Sequence, residues 1–165
     1  PPVMGGTRRP GEGGGANRGQ PVFSWGGVQE KKYRKNLFFF NSHYDHEGRE
    51  ARKNSSLLLL KKIGELAAGS TVFVTGDFNA TPDDEPIQIL YESGGLKDSY
   101  QITRQPPYGT VSTFNAFRVT HRVGERIDYI WVTEGVTVNK YGTLNDIQYG
   151  HFPSDHYPVM VNVTF

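Results

Sequence analysis

The stretch Thr71-Val72-Phe73-Val74-Thr75-Gly76-Asp77-Phe78-Asn79 says most about the fold. Its first five residues form a short, almost wholly apolar run flanked by Gly69 and Gly76. A run without polar alternation reads as a strand buried on both faces. Toward the N-terminus, Ala51, Ser55, Leu59, Ile63 and Leu66 recur at three- and four-residue spacing after Gly48, which predicts a helix that Gly69 stops. Earlier still, Val22 and Ser24, and then residues 36–41 with Leu37-Phe38-Phe39-Phe40 at their centre, predict two strands joined as a hairpin by the charged turn 30–35. Toward the C-terminus, Thr81-Pro82 with Asp83, Asp84 and Glu85 in its first turn predicts a short helix, since acidic groups suit a helix start. Residues 92–111 read as loop, and strands are expected at 126–132, 135–141 and 157–165, with a turn at Glu134-Gly135. Strands interleaved with helices, without strict alternation, indicate a layered α/β or α+β sandwich.

The 165 residues suit one domain, and 36% hydrophobic with 13% aromatic content suffices for a core. Lys and Arg number 18 against 17 Asp and Glu, so the bulk charge lacks the footprint of a strongly basic nucleic-acid binder. With no cysteine, disulfides, thiolate nucleophiles and zinc-thiolate sites are excluded, and nothing fixes a compartment. No apolar run approaches the roughly 20 residues of a membrane span, and no charged-then-apolar leader precedes the domain. Residue 1 is Pro, so the chain reads as processed or as a piece. Residues 1–20 hold seven of the 20 glycines and three of the ten prolines, with Arg8, Arg9 and Arg18. They are expected to be disordered, and residues 21–165 to form the globular part.

Four places carry chemistry. In Gly76-Asp77-Phe78-Asn79, alternation projects Asp77 and Asn79 together while Phe78 turns to the core. A carboxylate beside a carboxamide at a strand end can orient water and hold a phosphoryl oxygen; an Asx turn fits the same residues. In Pro153-Ser154-Asp155-His156-Tyr157-Pro158, an acid beside an imidazole suits a cation ligand next to a proton-handling group. In Glu125-Arg126-Ile127-Asp128-Tyr129-Ile130-Trp131, Asp128 lies in an apolar strand and needs a partner, either an imidazole or Arg126 on the same face. In Asn41-Ser42-His43-Tyr44-Asp45-His46, alternation puts Asn41, His43 and Asp45 on one face, with His43 toward the site and His46 structural. The other candidate ligands are all oxygen donors, which favours a hard cation over zinc.

With Arg126-Ile127-Asp128-Tyr129-Ile130 and Ser154-Asp155-His156-Tyr157-Pro158-Val159, the four motifs in this order resemble the endonuclease/exonuclease/phosphatase (DNase-I-like) superfamily over residues 22–165. Ala51-Arg52 and Ser112-Thr113-Phe114-Asn115 add lesser matches. The resemblance implies a two-sheet sandwich flanked by helices, here without its N-terminal half. It also implies Mg²⁺- or Mn²⁺-assisted hydrolysis of a phosphate ester in a nucleic acid, a phosphoinositide or a small molecule. By resemblance, His156 is the general base or transition-state stabiliser, Asp128 orients it and Asp77 positions water. Asn79 and His43 contact the phosphate, and Asp155 lies near the metal. The metal-binding Glu of complete members would lie in the missing front half; Val28-Gln29-Glu30 only imitates its motif and reads as the end of a strand. A competing reading is a catalytically silent remnant that serves as a binding or scaffold module.

Overall fold

The computed structural model describes residues 3–4, 22–31, 35–119 and 124–165, the first pair by backbone only. The expectation of disorder for residues 1–20 therefore falls almost wholly outside the described residues. Only Val3–Met4 is described there, as the short strand β1 paired with the next strand.

Strands β2 (Val22–Gln29) and β3 (Asn36–His43) form the expected antiparallel hairpin, closed where Glu30 N donates to Lys35 O at 2.9 Å. Helix α1 (Arg49–Leu66) follows and returns the chain to β4 (Thr71–Asp77), which lies parallel to β3. Val72, Phe73 and Val74 are all buried, as an apolar run without alternation requires. Helix α2 (Glu85–Glu92) starts later than expected, with Pro86 rather than Pro82 in its first turn. The stretch expected as loop contains a three-residue strand β5 (Leu96–Asp98) and one turn of helix α3 (Ser99–Ile102). Strands β6 (Asp128–Thr133), β7 (Thr137–Thr143) and β8 (Val159–Thr164) each begin two residues beyond the expected point.

Among the described residues the strands form two sheets. One runs β1-β2-β3-β4-β6-β5 and the other is the pair β7-β8. The turn at Glu134-Gly135 is present, with Gly135 at φ 88°, but β6 and β7 do not pair. The chain leaves one sheet there and enters the other, so this turn joins layers. The main core lies between the large sheet and the helices, where Phe40, Tyr44, Leu59, Val74, Phe78, Ile87, Leu90 and Trp131 are at most 2% exposed. Each such side chain contributes about 1.5–3 kcal/mol of burial. Ser56 fastens α1 to α2, its hydroxyl donating to Pro86 O at 2.7 Å. A smaller core of Leu37, Phe73, Val132, Val136 and Val138 lies between the sheets. The architecture is a mixed α/β layered sandwich. Among the described residues no helix is long and apolar enough to cross a membrane.

Candidate active site

Strand register builds the site. His43 on β3 faces Asp77 on β4, and Asp77 in turn faces Asp128 on β6. Three adjacent strands thus end in a row of imidazole, carboxylate and carboxylate on one side of the sheet. The next row inward is Asn41, Thr75 and Ile130, with Asn41 Nδ2 donating to Thr75 Oγ1 at 2.8 Å. The row inside that is Phe39, Phe73 and Val132. Polar groups therefore give way to core within two register steps.

The row forms only because β3 and β4 approach closely at Gly76. Its φ is +151°, and a Cβ there would lie 1.9 Å from Ser42 O. Immediately after it, Asp77 uses its two oxygens differently. Oδ1 accepts from Asn79 N at 2.8 Å, the Asx turn that the sequence allowed. Oδ2 faces the imidazoles, 3.3 Å from His43 Nε2 and 3.8 Å from His156 Nε2. Asn79, at φ 46°, donates Nδ2 to Tyr44 O at 2.9 Å, which ties the β4 end to the loop after His43.

The loop before β8 delivers His156 from the other sheet. His156 Nδ1 lies 2.8 Å from Asp128 Oδ2. An ionised carboxylate only accepts, so Nδ1 carries the proton and Nε2 is the nitrogen left facing Asp77. Burial pushes the Asp128 carboxyl above its ordinary range, against hydrogen bonds from Thr113 and His156. Burial also opposes the charged form of His156, yet the Asp128 hydrogen bond and the charges of Asp128, Asp77 and Asp155 outweigh it and raise the imidazole pKa. An imidazole poised this way can take a proton from water at Nε2 or, once charged, face a developing negative charge.

Of the two partners the sequence offered Asp128, the imidazole is the actual one. Arg126 lies outside β6 and pairs instead with buried Asp98, Nη1 donating to Oδ1 at 2.9 Å. Asp45 also leaves the face that alternation assigned it. β3 ends at His43, and Asp45 Oδ1 turns back to accept from Glu47 N and Gly48 N ahead of α1. His46 pairs with Glu47 at the surface. Asp155 directly precedes His156 in the loop; it lies outside the group of Asp77, Asp128 and His156, with Oδ1 3.4 Å from Ser154 Oγ. Sequence reasoning missed the parts played by Asn41 and Thr75 in the cleft and by Thr113 behind Asp128; Ser112-Thr113-Phe114-Asn115 was the available signal.

The cleft measures about 450 Å³, and its walls include Asn41, Thr75, Asp77, Asp128, Ser154 and His156. Asp77, Asp128 and His156 each present one ligand atom within 4.8 Å of the others. The two carboxylates are oxygen donors of the kind a hard divalent cation such as Mg²⁺ or Mn²⁺ takes, and His156 is already held by Asp128.

The family model for the Endonuclease/Exonuclease/phosphatase family matches residues 4–156. No curated protein is a significant match. Among solved structures, a mannosyl-6-phosphatase of Bacteroides thetaiotaomicron VPI-5482 is 33% identical, with a TM-score of 0.81 over 88% of this chain and 57% of its own. An endonuclease/exonuclease/phosphatase protein of Bacteroides vulgatus is 30% identical, with a TM-score of 0.81 over 88% and 56%. TDP2 of D. rerio, complexed with a single-strand DNA product, shares the fold at 18% identity, with a TM-score of 0.70 over 88% and 62%. This chain thus spans a little over half the length of these relatives. Fold, site geometry and the family match agree, and the chain belongs to the endonuclease/exonuclease/phosphatase family, with its DNase-I-like sandwich.

Proposed function

We propose that the protein hydrolyses a phosphate ester with the help of a divalent cation, and that the chain's own row of His43, Asp77 and Asp128, completed by His156, carries the chemistry. The observation that carries this reading is the 2.8 Å contact between His156 Nδ1 and Asp128 Oδ2, with Nε2 turned toward Asp77. Asp128 fixes the tautomer and favours the charged ring. His156 Nε2 then takes the proton of the attacking water, or holds its own proton toward a phosphoryl oxygen. Asp77 Oδ2 accepts a hydrogen bond from that water and orients its lone pair at phosphorus. His43 and Asn79 hold phosphoryl oxygens from the β3 and β4 sides. Asp155, with Asp77, would hold Mg²⁺ or Mn²⁺, while Asp128 stays engaged with His156. When bound, the ion supplies positive charge beside the phosphoryl oxygens.

The 33% likeness to a protein described as a mannosyl-6-phosphatase favours a small sugar phosphate as substrate, and the near-neutral charge favours it over long duplexes. The test is hydrolysis of p-nitrophenyl phosphate, bis-p-nitrophenyl phosphate, a hexose 6-phosphate and single-stranded DNA, with Mg²⁺ or Mn²⁺ and with chelator. Asp77→Ala and His156→Ala are each expected to lower turnover by about a thousandfold or more while the protein stays folded. Either variant retaining wild-type, chelator-sensitive turnover would falsify the assignment.

A further inference from the structure

Behind the Asp128–His156 pair lies a residue that touches both elements carrying it. Thr113 is fully buried. Its Oγ1 accepts from Ile127 N at 3.0 Å and from Asp128 N at 3.1 Å, where the chain enters β6. Two donors occupy the hydroxyl's accepting side, so its own proton is left to donate, and the Thr113 hydroxyl is among the groups that hold the Asp128 carboxyl down against burial. The Thr113 carbonyl accepts from Tyr157 N at 2.7 Å, one residue past His156. Neighbouring residues extend the same seam. Phe114 forms a β-bridge with His156 and sets its ring 5.0 Å from the imidazole, nearly edge-on. Asn115, also fully buried, donates Nδ2 to Ser154 O at 3.0 Å and its backbone N–H to Asp155 O at 2.7 Å. The segment then passes through positive φ at Ala116 (51°) and Phe117 (59°), a conformation that costs a side-chain-bearing residue about 1–3 kcal/mol. Asn115 Oδ1 offsets this by accepting from Phe117 N at 2.7 Å.

We propose that Thr113 is a positioning residue that fastens the strand bearing Asp128 to the loop bearing His156 and aims the carboxylate at His156 Nδ1. Asp128 and His156 arrive on different sheets, with no pairing between β6 and β8 to fix their separation. Thr113 supplies that link through its hydroxyl on one side and its carbonyl on the other. Valine has the same shape and the same backbone carbonyl but lacks the hydroxyl, whereas serine keeps both.

This inference rests on the proposed role of the Asp128–His156 pair, and one arm of its test is independent of activity. In the metal-free protein, the ring-nitrogen resonances of His156 report the Nδ1–H contact to Asp128. Thr113→Val is expected to shift or abolish that proton signal while the dispersion of other amides is unchanged; Thr113→Ser is expected to keep it. In turnover assays, Thr113→Val should lower kcat about tenfold with KM within about twofold, and Thr113→Ser should restore most of it. Combined with Asp128→Asn, the Val substitution should cause little further loss, because its effect passes through the carboxylate. If Thr113→Val does not fold, Thr113→Cys, whose thiol is a weaker partner, should give an intermediate signal and rate. An unchanged His156 signal in Thr113→Val, or an equal loss of kcat with and without Asp128→Asn, would overturn the proposal. Absence of hydrolysis by the wild type would instead count against the phosphoesterase reading and leave the resonance test standing.

Discussion

At His156, burial and charge pull in opposite directions. Burial disfavours the imidazolium, but the Asp128 hydrogen bond and three nearby carboxylates win, so the folded-state pKa lies above the ordinary 6.5. The sign of the linkage follows. A raised pKa stabilises the fold fully below the unfolded value, and that contribution is lost as pH rises through the folded value. Wild type should therefore exceed His156→Gln in unfolding free energy most at about pH 5.5, and the gap should narrow toward about pH 8.5. Urea titrations of both proteins across that range check this; a constant gap would mean that Asp128 does not favour the charged ring. The raised pKa of Asp128 has the same sign and acts from its ordinary 3.8 upward. Such pairings were partly legible in the sequence. The sequence put Asp77 at a strand end and Asp128 inside an apolar strand, where it required a partner. Which partner it took was not legible, because that depends on where β6 begins; Arg126 lies just outside the strand and reaches Asp98 instead. The role of Thr113 was hidden for a related reason, since a threonine reveals nothing of which backbone it will meet.

At the scale of elements, β4 is the piece on which the rest aligns. It pairs parallel with β3 and antiparallel with β6, and its Gly76 permits the approach that brings His43, Asp77 and Asp128 into one row. Two glycine substitutions should then differ in sign. Gly76→Ala forces a Cβ against Ser42 O at a disallowed φ and should destabilise by at least about 2 kcal/mol, with loss of the site. Gly64→Ala, on the exposed face of α1 with open space around it, should stabilise by about 0.5–1 kcal/mol. Urea midpoints of the two variants test the contrast, and a Gly76→Ala protein as stable as wild type would refute it. Long elements such as β3, α1 and β4 could be read from periodicity. β5 and α3 could not, because three or four residues carry no period to detect. The turn at Glu134-Gly135 was also readable, but turn chemistry does not state which sheet the departing strand joins.

At the scale of the molecule, one face of the large sheet is only partly covered. Phe39 is 45% exposed beside Phe73, and Phe165, whose ring packs edge-on against Phe73, is 40% exposed. The second sheet holds just β7 and β8 among the described residues, too few to cover this face. An apolar face of that kind recruits other chains. The 165-residue chain alone should self-associate at about ten micromolar or above, and Phe39→Ser should reduce it. Sedimentation velocity on both decides it, a monodisperse wild type being the contrary result. We propose that the stretch corresponding to the rest of a relative's length covers this face, so that supplying it should restore both solubility and turnover. Connectivity also bears on when the site assembles. β3, α1 and β4 are consecutive, so His43 and Asp77 meet by a local crossover early in folding. Asp128 joins them only after the long connection from α3 to β6 has closed, and His156 only after β7 has crossed to the other sheet, steps that cost loop entropy first. A chain still emerging during synthesis therefore holds its acids and imidazoles scattered. The proposed site is complete only when the most distant contacts have formed.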